Sequence, residues 1–236
     1  MTHNFEELRK KAIKDTKQKI KESVNKDLMI INAISNIEEL DKTFNVTVGR
    51  LREWFSLKNP ELENKIEDNQ KIVEIIITQQ YSKTEMGTEL EPRDNEAIMS
   101  LALLAQGIQK TKEFLTEYLE ETMNNHCKNI LALAGTTIGA KLIREVGSLK
   151  RLASIQSGTI QLLGAEKALF RHIKSNAKPP KHGYIVNHPV ITGAKDKGKA
   201  ARTLADKISL AARLDFFKGE FQGHKYLEEL KNKFNK

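Results

Sequence analysis

Cysteine is almost missing from this chain. Cys127 stands alone, which excludes an internal disulfide and any cysteine-built zinc cluster and suits a reducing compartment. We expect that thiol to serve helix packing. Nowhere do about 20 apolar residues run uninterrupted, as a membrane span requires. The opening MTHNFEELRKK also lacks the apolar run of a signal peptide. The expectation is a soluble, intracellular protein with no membrane role. Alternating runs of convincing strand length are absent too. So are catalytic sets. The six histidines include His172, His182, His188 and His224, yet no HExxH, paired carboxylates or cysteine partner accompanies them. They are expected to donate hydrogen bonds or pack rather than hold metal. GTTIGAK at residues 135–141 has neither the spacing nor the hydroxyl of a phosphate-binding loop. No enzyme activity, cofactor or metal is expected.

Acid is scarce in one half only. Residues 1–130 carry 19 Lys and Arg against 23 Asp and Glu, a net of −4, and residues 131–236 carry 20 against 8, a net of +12. Within 141–202 stand 13 basic residues and three acids, Glu145, Glu166 and Asp196. A surface so one-sided is built to meet a polyanion, since charge otherwise mixes both signs. A solvated basic face that aids solubility is the plainer alternative.

Glycine is sparse in the front and common behind: Gly49, Gly87 and Gly107 precede residue 131 and ten follow. From Ile20 apolar residues recur at Val24, Leu28, Ile31, Ile34, Ile37, Leu40, Phe44, Val48, Leu51 and Phe55, one stripe along a long helix. Asn59-Pro60 ends it. A second helical stretch follows over 61–81. Pro92 then opens a third helix, marked by Ile98, Leu101, Ala105, Ile108, Leu115, Leu119, Thr122 and Met123. Two long amphipathic helices around a shorter insertion predict an antiparallel coiled-coil arm. The rear reads as short helices, with Ser148 and Ser157 as N-caps and helices at 165–173, 197–218 and 226–234. The fold class is all-α: a helical extension at 1–27, the coiled-coil arm with a tip insertion at 28–130, and a compact helical domain at 131–236. Lysines of the extension are mixed with acids, as on a solvated helix face.

The stretch 164–183, GAEKALFRHIKSNAKPPKHG, has a helix followed by a stiffened cationic loop. On the helix, Ala165, Ala168, Leu169 and Ile173 can face inward, while Lys167, Arg171 and Lys174 recur at steps of four and three on another face. Glu166 suits the positive end of the helix dipole. Lys178, Lys181 and His182 bracket Pro179-Pro180, whose fixed φ angles lower the entropy lost when a loop is ordered on a ligand. Charges spread along such a contour suit a phosphate backbone. A rival within nucleic-acid binding is a helix-hairpin-helix over 133–155, with Gly135 and Gly139 at its turn and Lys141 and Arg144 beyond. Close helix packing at those glycines is the structural alternative.

Together GAEKALFRHI (164–173), KPPKHG (178–183), His188-Pro189 and GKAARTLADKISLAARLD (198–215) resemble the Nop domain, as found in the archaeal Nop protein of box C/D RNA-protein particles. LDKTFNVTVGRLREWFSLKNPEL (40–62) is similar to the start of that family's coiled-coil arm, and the likeness runs over 28–220. The resemblance implies a non-enzymatic, all-α scaffold that binds a kink-turn RNA already occupied by a small ribosomal-protein-like protein. It implies RNA contacts from Lys167, Arg171, Lys174, Lys178, Lys181, His182, Lys199 and Arg202, while Tyr184 either stacks or packs. It also implies a homodimer formed through a tip at 64–88, and a place in the archaeal cytoplasm in particles that guide RNA 2′-O-methylation. Full-length archaeal members carry a further N-terminal domain that docks a fibrillarin-type methyltransferase. This chain starts almost at the arm, which leaves its recruitment of that enzyme in doubt. A role like that of the related Nop-domain splicing factor, and a pure coiled-coil oligomerisation scaffold, are the remaining alternatives.

Overall fold

The computed structural model describes residues 2–81, 86–175 and 177–234. Among them every regular element is helical, in keeping with the all-α reading. No helix among the described residues is long and apolar enough to cross a membrane. The chain divides into two compact units, one formed by Ser35–Tyr118 and the other by the remainder. Residues 82–85, part of the expected dimer tip at 64–88, lie outside the described residues.

Helix α1 (Thr2–Ser23) has no buried side chain among those described. Helix α2 (Lys26–Lys58) begins afresh after it, because the Asn25 side chain accepts from the Leu28 N–H at 3.1 Å and caps a new N-terminus. One continuous stripe from Ile20 is therefore not what forms. Ile20, Val24 and Leu28 are exposed, and apolar burial starts at Ile30. A stripe records amphipathy, whereas burial also needs a covering element.

In the Ser35–Tyr118 unit, α3 (Pro60–Lys65) and α4 (Asn69–Thr78) replace the single helix expected over 61–81. Asn59 and Asp68 cap them, accepting from Leu62 and from Gln70 and Lys71. Arg52 on α2 satisfies the carbonyls freed between the two helices, donating to Ile66 at 2.6 Å and Glu67 at 3.0 Å and pairing with Glu63 at 2.9 Å. Helix α5 (Pro92–His126) runs antiparallel to α2: Asp41 pairs with Lys112, and Lys58 bonds Asn95. Phe44, Val48, Leu51 and Phe55 of α2 bury against Ile98, Ala102 and Ala105 of α5, with Ile72, Val73 and Ile76 of α4.

In the other unit, Asp27 at the start of α2 meets His126 at the end of α5, 2.7 Å apart. Six short helices follow: α6 (Lys128–Ala134), α7 (Thr136–Val146), α8 (Leu149–Ser154), α9 (Ser157–Leu162), α10 (Glu166–Ser175) and α11 (Pro189–Thr192). Ser148 caps α8, accepting from Arg151. The cap of α9 is Gln156 rather than Ser157, which is the first helical residue. The spine is α12 (Lys197–Phe216), flanked by α13 (Gly223–Phe234). Its buried face reads Ala200, Ala201, Leu204, Ala205, Ile208, Ala211, Ala212, and alanine at most of these positions lets neighbouring helices approach closely. α6, α8, α9 and α13 all pack on it. Asn129, fully buried, donates to Asp215 at 2.8 Å and accepts from the Gln222 and Gly223 N–H groups, which joins α6, α12 and α13.

Candidate nucleic-acid interface

The interface grows from one turn. α9 ends at Leu162 and the chain reverses at Gly164, whose φ of +87° favours glycine. The Glu166 carboxylate accepts from the Gly164 N–H at 2.7 Å, fixing the entry to α10. A Cβ on Gly164 would lie 2.7 Å from the Tyr184 ring. Tyr184 is half-buried against this turn, donates its hydroxyl to Glu145 at 3.0 Å, and has Lys141 Nζ 5.9 Å from its ring centroid. Burial pushes its phenol above the usual range. Of the two roles weighed for Tyr184, the geometry assigns packing.

α10 carries no buried residue at all. Ala165, Ala168 and Leu169 are half-buried as expected, but Ile173 is 71% exposed and does not anchor the helix. Phe170 is exposed as well, with Lys174 Nζ 4.7 Å above its ring. Lys167, Arg171 and Lys174 stand exposed along the helix.

The loop after α10 is fixed at both ends. The His172 ring bonds the Ala177 carbonyl at its start. At its end, Gln161 Nε2 donates to the Lys181 carbonyl at 2.6 Å, the Gly183 N–H to the Gln161 carbonyl at 2.8 Å, and the Tyr184 N–H to the Leu163 carbonyl at 2.8 Å. Gly183 lies so close to Leu163 that an added Cβ would stand 1.8 Å from the carbonyl oxygen. Between these clamps sit Lys178, Pro179, Pro180 and Lys181, both lysines exposed, followed by half-buried His182. The Lys181 side chain reaches Gly198 at the start of α12, where Asp196 caps the helix through the Lys199 N–H at 3.0 Å. Lys199 and Arg202 are exposed there, as are Lys195 and Lys197. The structure thus joins Lys181 to the α12 set, while the α10 cations form a row of their own.

Among the described residues, the side chains of Lys167, Arg171, Lys178, Lys181, Lys199 and Arg202 form no ion pair; the pairs that do form lie elsewhere. Charges left unpaired on a surface are free to exchange their counterions for phosphates. The helix-hairpin-helix likeness weakens on inspection. The Gly135 and Gly139 N–H groups donate to Leu131 and Gly135 within the helices, and a Cβ at Gly139 would meet Ile130 and Met123 at 2.8 Å. Gly139 serves close packing, and Gly135, at φ +77°, serves the α6–α7 turn. His188 is buried: its Nε2–H donates to the Leu133 carbonyl at 2.9 Å, and Nδ1 accepts from Val190 at 3.3 Å. No group of three or more His, Cys, Asp or Glu able to hold a metal occurs among the described residues. Gln161 escaped notice in the sequence because its partner is 20 residues away. Lys195 and Lys197 were legible as charge alone.

The described residues thus present exposed cations on one helix and one buttressed loop of an all-helical fold, the arrangement expected of a surface that could meet a polyanion. A family model described as Nop, snoRNA binding domain, fibrillarin, matches residues 36–85 and 71–236. The chain belongs to the Nop family. It is 37% identical, over 97% of its length, to an uncharacterised NOP5 family protein of Methanocaldococcus jannaschii, of which it spans 62%. It is 36% identical to nucleolar protein 56 of Dictyostelium discoideum, matching over 86% of this chain and 43% of that one. Nucleolar protein 58 of Schizosaccharomyces pombe is 35% identical over 85% of this chain and 45% of its own. A chain from a crystal structure of a fibrillarin/Nop5p complex shares the fold, with a TM-score of 0.60 and 22% identity, covering 98% of this chain and 78% of that one. The chain therefore spans less than two thirds of the length of these sequence relatives.

Proposed function

We propose that this chain is a non-enzymatic assembly factor that binds a kink-turn RNA together with the small ribosomal-protein-like protein already seated on it. The particle is of the box C/D type, guiding RNA 2′-O-methylation. The observation that carries the reading is the α10 row and the doubly clamped KPPK loop, whose cations have no ion-pair partner among the described residues. The stretch lies inside the residues matched by a family described as snoRNA-binding. Lys167, Arg171, Lys174, Lys178, Lys181, His182, Lys199 and Arg202 contact the RNA. Electrostatic capture comes first, and docking on the bent RNA and its protein follows by shape. The methyltransferase of such a particle is of the fibrillarin type, in line with the family description, and a second copy of this chain joins through residues 64–88.

Because the cognate surface is split between two molecules, naked kink-turn RNA binds weakly and the partner-loaded RNA tightly. Gel-shift titration of one kink-turn RNA with and without its small protein tests this. A gain of about tenfold or more on adding the partner supports composite recognition, and equal affinity in both titrations contradicts it.

A further inference from the structure

A second cluster of aromatic and cationic side chains stands at the other end of α12, about 26 Å from Lys199 at the 1.5 Å rise of a helix. The segment 216–225 reads FFKGEFQGHK. Both ends of its corner are tied to Asn129, through Asp215 on one side and Gln222 and Gly223 on the other. The residues between stand out from a fixed base. Their aromatic side chains do not enter the core: Phe216 is 36% exposed, Phe217 75% and Phe221 43%. Phe216 and Phe217 meet edge to face at 5.0 Å, and Phe221 meets His224 in the same manner at 5.0 Å. Lys128 Nζ lies 5.6 Å from the Phe221 ring, and Lys218 and Lys225 are exposed beside them; Glu220 is the one acid within 216–225, while Asp215 is near Lys128 and Glu229 near Lys225.

The backbone at Lys218 adds an independent observation. α12 ends with the Gly219 N–H donating to Leu214 at 2.7 Å and the Lys218 N–H to Asp215 at 3.4 Å. That pattern puts the residue after the cap in the left-handed region, normally glycine. Here it is Lys218, at φ 55°. An L side chain held there costs stability that a glycine would not, so Lys218 stands where local preference calls for glycine.

From exposed π-faces, surrounding cations and a strained lysine on a buttressed corner, we propose that this end of α12 is a stacking site for unpaired RNA nucleotides. Phe217 and Phe221 receive bases, while Lys128, Lys218 and Lys225 meet the phosphates. The inference takes its ligand class from the RNA-binding reading above. Fluorescence anisotropy of the full chain with a 12-nucleotide oligouridylate at fixed salt tests it. Phe217→Leu keeps the apolar volume but removes the π-face, and is expected to weaken binding at least about fivefold. Phe217→Trp retains the affinity. Lys218→Gly weakens it while the Tm stays equal or rises, which separates a missing phosphate ligand from a failed fold. Unchanged affinity in Phe217→Leu and Lys218→Gly overturns the inference. So does a result in which those variants lose capture of a protein partner alone. Oligouridylate has no kink-turn, so failure here leaves the kink-turn reading standing, and failure of the kink-turn titration leaves this result standing.

Discussion

Gly183 is the tightest point of the candidate interface. Its backbone crosses Leu163 so closely that no Cβ fits, although its φ is not positive. Gly183→Ala must push the loop off α9 and break the bonds that Gln161 makes to Lys181 and Gly183. A loss of about 2 kcal/mol or more is expected from such overpacking, read as a lower urea midpoint together with weaker RNA binding. His188 supplies a pH test. Burial, together with the charge of Lys231, holds its imidazole below the ordinary 6.5. The unfolded chain therefore takes up a proton near pH 6.5 that the folded chain refuses. Stability from this residue is full above that pH and is lost as pH falls through the lower, folded value. Urea midpoints at pH 7.5 and pH 5 are expected to differ more for the unaltered chain than for His188→Gln, which still offers a donor to Leu133.

Among the elements, the break between α3 and α4 is the one least visible in sequence. Residues 61–81 carry helical spacing throughout, and the interruption at 66–68 is sustained by Arg52, which lies on α2 and donates to two carbonyls there. Arg52→Met removes those donors and leaves Glu63 half-desolvated. A loss of about 2 kcal/mol is expected, measurable by urea denaturation. Helix α12, by contrast, was legible: its alanines and leucines recur on one face, and Asp196 sits where a cap belongs. α10 was legible in its cations and misread at Ile173, because spacing tells which residues share a face and not whether anything covers it. The same reason explains why Ile20, Val24 and Leu28 extended the α2 stripe on paper and are exposed in the fold. Asn25, which ends one helix and caps the next, is a local signal that the long apolar pattern outweighed.

At the scale of the whole molecule, charge is the organising fact. The rear of the chain, at +12, carries Lys167, Arg171, Lys178, Lys181, Lys199 and Arg202 with no ion pair among the described residues, and the front, at −4, pairs many of its charges in place, as at Arg50–Glu53, Arg52–Glu63 and Asp41–Lys112. Composition alone disclosed that asymmetry. The two clamps that hold the KPPK loop arise from residues distant in sequence and became visible only in the fold. If the unpaired cations are phosphate ligands, each removal releases one fewer counterion on binding. The direct measurement is the log-log salt dependence of affinity for partner-loaded kink-turn RNA, with the chain as it is and with Arg171→Ala and Lys181→Ala combined. The expected result is a slope smaller by up to about two units, roughly one for each phosphate no longer neutralised, with an unchanged Tm. An identical slope in the two proteins would contradict a phosphate-gripping role for α10 and its loop.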